Sequence, residues 1–172
     1  MLATASYLLL CIVFPFLMAY AAASDLLTMR ISNRITGLVV AGFVPYAVFS
    51  GMTWSEISFH VAAGALTLVV AFVMFARGWM GGGDAKLAAG TALWLGIEHL
   101  AEYVVVASIL GGVLTLAILY ARAYPLPRVT LRLPFAVHLH DQKTGIPYGI
   151  ALAAAALLVL PNVVGLESLM PM

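Results

Sequence analysis

Charged residues fall at wide intervals along this chain, and the stretches between them are apolar. No Lys, Arg, Asp or Glu occurs in Met1–Ser24, Ile35–Ser55, Ile57–Ala76, Tyr103–Ala121 or Thr144–Leu166. An α-helix rises ~1.5 Å per residue, so about 20 residues cross the ~30 Å hydrocarbon layer of a bilayer. Each of the five runs is close to that length or longer. A sixth, Leu87–Ile97, is too short alone and becomes a span when its flanks join it, from Asp84 to Glu102. The pattern predicts an all-α, polytopic integral membrane protein with six transmembrane helices. Met1–Ser24 ends in Ala21-Ala22-Ala23, small residues of the kind found at secretory cleavage sites. It has no basic residue before Arg30, however, and its apolar run exceeds the core of about 7–15 residues of a signal peptide, so it is read as a retained first helix.

The basic residues give an independent test of the span count. All eight Lys and Arg residues fall in alternate loops: Arg30 and Arg34 in the first, Arg77 and Lys86 in the third, Arg122, Arg128, Arg132 and Lys143 in the fifth. Cytoplasmic loops are the ones enriched in Lys and Arg. The odd loops are therefore expected in the cytoplasm and both termini outside.

Composition agrees with this picture and closes off others. The 172 residues are 64% hydrophobic and 9% charged, with a mean hydropathy of +1.09. A soluble domain normally carries about 25% charged residues. A water-soluble globular protein, a disordered tail and a nucleic-acid binder with a basic surface are all excluded. The one cysteine, Cys11, permits neither an internal disulfide nor a multi-cysteine metal site. Six helices leave no room for a soluble domain, so residues 1–172 are read as a single membrane-embedded domain. The longest loop, Arg122–Lys143, contains Pro125, Pro127 and Pro134 and is not expected to form a continuous helix. Its Leu131-Arg132-Leu133 and Phe135 suit the headgroup level. The lack of an internal repeat argues against a transporter built from inverted halves.

The seven acidic residues divide by side. Glu56, Glu98, Glu102 and Glu167 lie on the outer side, where a solvated helix end explains them. Asp25, Asp84 and Asp141 lie on the cytoplasmic side with every basic residue. Asp25 closes the first helix. Asp84 follows Gly81-Gly82-Gly83 and opens the short fourth helix, where it has two readings. One is an ordinary N-cap after a glycine turn, with Lys86 snorkelling to the interface. The other is a partly desolvated functional acid: if the short fourth helix is drawn inward, Asp84 sits slightly below the headgroups, and an ionisable residue held at such a depth is a functional candidate. Two aspartates within about 3–6 Å of each other would share one proton. One would then take a proton from an attacking water while its partner polarises a carbonyl and protonates the leaving amine. Other constellations are weaker. His138, His140 and Asp141 have neither HExxH spacing nor a helical frame, and His60 has no evident serine partner. No metal or cofactor is expected, and Asp141 is read as a loop charge.

Three segments bear a family resemblance. Asp25-Leu26-Leu27-Thr28-Met29-Arg30-Ile31-Ser32-Asn33 resembles the first signature of the type IV prepilin peptidases, an aspartate followed by Ile-Pro-Asn. Gly81-Gly82-Gly83-Asp84-Ala85-Lys86-Leu87 resembles their Gly-x-Gly-Asp signature with its following Lys-Leu, and Ile146-Pro147-Tyr148-Gly149-Ile150-Ala151 is similar to their third. The resemblance implies a membrane aspartic protease of the bacterial inner membrane. Its substrates would be prepilin or pseudopilin precursors, a basic leader followed by a hydrophobic helix, cut at the cytoplasmic face. It implies Asp25 and Asp84 as the catalytic pair, with Gly81 and Gly83 shaping the turn that presents Asp84. Asn33, Lys86, Pro147 and Tyr148 would be supporting positions, and the partners would be the precursors and membrane lipids, with no nucleic acid.

Two departures matter. Ser32 stands where the family has proline, which loosens that turn but leaves a residue able to cap the next helix. The cytoplasmic insertion with paired cysteines carried by larger, bifunctional members is missing, which puts N-methyltransferase activity in doubt and makes the chain similar to the small, peptidase-only CpaA/TadV-like kind. Two rival expectations are a non-catalytic membrane scaffold of a pilus or secretion apparatus, with both aspartates as caps, and a small proton- or cation-coupled transporter.

Overall fold

The computed structural model describes residues 2–126 and 132–164; Pro127, Arg128, Leu131 and Glu167, which figure in the loop and charge reading above, lie outside them. Among the described residues the fold is helical, without a strand. Helix α1 (Leu2–Leu8) continues through a π-helical turn (Leu9–Val13) into α2 (Phe14–Thr28), and is followed by α3 (Asn33–Ser50), α4 (Trp54–Ala76), α5 (Gly82–Arg122), α6 (Pro134–His140) and α7 (Tyr148–Val164). Pro15 has no N–H to give to the turn before it, and the helix widens just ahead of it.

The local signals at the helix ends are simple. Helix α2 stops where Met29 adopts the left-handed conformation, its N–H donating to the Asp25 carbonyl at 2.8 Å. Ser32 then caps α3, its hydroxyl accepting from the Ile35 N–H at 3.4 Å. At the opposite end of the bundle Thr53 and Glu56 form a reciprocal capping box at the start of α4, which accounts for Glu56 without any further role.

By length and composition three stretches can cross a membrane: Thr4–Thr28, Trp54–Ala76 and Gly82–Arg122; Tyr148–Val163 is a shorter apolar helix. The 41 residues of α5 would reach about 62 Å if straight, twice a bilayer core. They do not run straight. Gly96 breaks the helix at φ 76°, ψ 177°, a conformation essentially reserved for glycine. Ala88 and Val104, about 24 Å apart along a straight helix, instead line one cavity with Tyr148, so residues 97–122 fold back along residues 82–95. The reversal is far tighter than the outer loop expected around Glu98, His99 and Glu102, all three of which are helical. His99 and Glu102 face each other one turn apart, at 3.7 Å.

An aromatic knot ties the elements together. The buried Trp94 ring lies 5.0 Å from that of Phe14 and 5.1 Å from that of Tyr46, and its indole N–H donates to the Val39 carbonyl at 2.7 Å. The alanine-rich face of α7 packs into the space between α2 and α5, with Ala151, Ala153, Ala155 and Ala156 buried. Asn162 donates to Glu102 at 2.6 Å, and the Tyr148 and Thr115 hydroxyls meet at 3.0 Å. Helix α7 therefore runs antiparallel to the returning half of α5, and its first turn arrives at the end of the bundle that holds Asp25.

The reversal gives a direct prediction. A β-carbon at Gly96 would sit 3.0 Å from the His60 ring, on a backbone that other residues avoid. Gly96→Ala is expected to destabilise the fold by about 1–3 kcal/mol, seen as a lower midpoint of thermal unfolding in detergent.

Candidate functional site

Asp25 lies in the last turn of α2 and is 5% exposed. A carboxylate so placed needs donors, and the chain supplies one from its far end. The Gly149 N–H donates to Asp25 Oδ2 at 2.7 Å. Gly149 is the second residue of α7, so its amide is among those that a helix start leaves without an internal partner and that favour an anion. Pro147, fully buried, leads into that turn. A side chain at 149 would have to push Asp25 aside: a β-carbon there would lie 2.8 Å from Asp25 Oδ2 and 2.7 Å from Ile31 Cδ1.

Asp84 stands at the third position of α5 and is half-buried. The N-cap expected at Asp84 falls instead on Gly81, because the first helical residue is Gly82 rather than Ala85. The Asp84 carboxylate turns back toward the Gly81 backbone N–H, and a β-carbon on Gly81 would lie 2.8 Å from Asp84 Oδ2. Gly83 has a different reason to be small. A β-carbon on it would lie 3.1 Å from both the Ile31 carbonyl oxygen and Ile31 Cβ, so its absence lets α5 rest on the chain that joins α2 to α3.

These contacts bring the first two sequence segments to one place. Asp25 and Asp84 line a single cavity of about 550 Å³, bounded by the turn from Ser24 to Asn33 on one side and by Gly81–Gly83 on the other. The two carboxylates are close enough for their charges to interact. At the rim, Lys86 Nζ donates to Asn33 Oδ1 at 2.8 Å and ties the start of α5 to that of α3. The Ser24 hydroxyl donates to the Arg30 carbonyl at 2.9 Å, and the Thr28 hydroxyl donates to the Ser24 carbonyl at 2.7 Å while lying 3.1 Å from that of Arg30; together they brace the turn that Ser32 leaves without a proline.

The remaining candidates lie elsewhere. Asp141, after α6, accepts from the Lys143 N–H at 2.9 Å and does not line the cavity. Among the described residues no group of His, Cys, Asp or Glu side chains is arranged to hold a metal ion. The third segment, 146–151, enters the site through a backbone group. That contribution was hidden in the sequence, where a backbone donor has no letter of its own; the only hint was a glycine two positions after Pro147.

The type IV leader peptidase family model matches residues 12–116. No curated protein and no solved structure gave a match. The matched region holds both aspartates and the glycines before Asp84, and it covers more than half of the sequence: the chain belongs to the type IV leader peptidase family.

Proposed function

We propose that this protein is a membrane aspartic endopeptidase that removes the basic leader from prepilin-like or pseudopilin precursors. The observation that carries the reading is the shared cavity: Asp25 and Asp84, distant in sequence, face the same space. Two carboxyl groups sharing one proton are sufficient for amide hydrolysis without a cofactor. The ionised partner takes a proton from a water as its oxygen attacks the peptide carbonyl. The protonated partner donates to the carbonyl oxygen, and the tetrahedral intermediate collapses as a proton passes to the leaving amine. The Gly149 N–H fixes the orientation of Asp25 during this exchange.

Charge supports the cytoplasmic face. Arg30 and Lys86 flank the cavity, and Arg77 lies in the same α4–α5 connection as Gly81; basic residues gather on the cytoplasmic side of membrane proteins. On this reading the chain crosses the bacterial inner membrane six times, α5 supplying two crossings on either side of Gly96, with both termini outside. A site at the bilayer edge suits a precursor anchored by an apolar helix, because the bond to be cut then lies at the depth of the carboxylates.

In reconstituted membranes with a candidate precursor, Asp25→Asn and Asp84→Asn are each expected to leave the precursor full-length, whereas Asp141→Asn cleaves normally; cleavage by either of the first two variants overturns the reading. A scaffold would cleave nothing when reconstituted, wild type included, and in cells would leave precursor processing normal in both aspartate variants. Asp84→Glu is expected to be nearly as inactive as Asp84→Asn, since ~1.5 Å of added reach moves the carboxylate out of register. Gly149→Ala, which must displace Asp25, is expected to lower the cleavage rate by about 100-fold, measured by the gel shift of the shortened product.

A further inference from the structure

A second cavity, of about 630 Å³, opens beside the first. Helices α3 and α4 both pack on α5 but barely touch each other, and the space between them is a groove with α5 as its floor. It runs from Asn33 and Lys86 along the helix axes to Val44 on α3 and Val61 on α4. From Asn33 to Val44 is about 16 Å, or three helical turns. Beyond Asn33 and Lys86 the lining is almost wholly apolar.

Two features point to a peptide helix as the occupant. The first is continuity: Asn33 lines both the groove and the aspartate cavity, so a chain lying in the groove leads directly to the two carboxylates. The second is Gly37, inside α3 on the groove wall. A glycine within a helix gives up stability relative to alanine, and internal packing does not explain this one, because a β-carbon there meets nothing within 4 Å. Ala41 and Ala65 continue the same low wall on either side. Small side chains let a second helix bring its backbone close inside a bilayer, where packing drives association.

We propose that this groove seats the apolar helix of the precursor and thereby sets which bond reaches Asp25 and Asp84. The proposal rests on the peptidase reading and adds the surface that recognises the membrane-embedded part of the substrate. An apolar helix in the groove emerges at Asn33 and Lys86, and the chain preceding it enters the aspartate cavity.

The test compares two substrates of the reconstituted enzyme: a membrane-anchored precursor with a basic leader and an apolar helix of about 20 residues, and a short soluble peptide spanning only the cleaved bond. Gly37→Leu with Ala41→Leu fills the groove. The expected result is a KM for the anchored precursor raised about tenfold with kcat retained, and unchanged cleavage of the short peptide. Gly112→Leu, at a glycine equally open but outside the groove, serves as control and keeps wild-type kinetics. Unchanged KM in the filled variant overturns the proposal. A photoreactive benzoylphenylalanine at Val44 in Asp84→Asn protein gives a readout that needs no turnover. It is expected to capture the anchored precursor; capture of lipid alone, of a second copy of the enzyme, or of as much precursor as from position 112 overturns the groove. Cleavage by Asp84→Asn in the same assay overturns the peptidase reading instead.

Discussion

A carboxylate with almost all of its surface covered draws on donors inside the protein, and in an apolar helical bundle few are available, because each helix consumes its own amides. The free ones lie at helix starts. Asp25 solves the problem by meeting the first turn of α7, whose Gly149 N–H it accepts at 2.7 Å. Much of the architecture follows from that one bond. The alanine face of α7 lets it lie deep between α2 and α5, Pro147 brings the chain into the turn, and the missing side chain at position 149 leaves room for the carboxylate.

The reversal at Gly96 is the second constraint. It turns one long apolar stretch into two antiparallel rods, so that Asp84 at the start of one and Thr115 near the end of the other both reach the end of the bundle where α7 begins. Trp94, just before the break, anchors the first rod to α3 through the Val39 carbonyl. Asp84 is therefore placed by a rigid helix fixed at both ends, by the knot around Trp94 and by Gly83 resting on Ile31.

Much of this was legible from the positions of charges. The apolar runs located the long helices, and the motifs around Asp25 and Asp84 named the residues that share a cavity, because carboxylates are scarce in such a chain and stand out. The boundaries were less legible. The reversal was expected as a loop near Glu98, since three polar residues in a row of apolar ones look like a turn; the backbone uses one glycine instead, and the polar residues continue the helix. The cap expected at Asp84 fell on Gly81 because a glycine run can enter a helix without a side-chain cap. Gly149 stands within the third motif, but its amide is anonymous in the sequence, and only the fold of α7 against α2 gives it a purpose.

The junction of α2 with α7 also sets an order in time. Helices α2 and α5 emerge from the ribosome with their aspartates well before residue 149 is made, so the first acid stays without its backbone donor until α7 has packed against α2. Docking of α7 is then the step that gives Asp25 its backbone donor, and the aspartate pocket of a growing chain stays unfinished while the earlier helices are already in place.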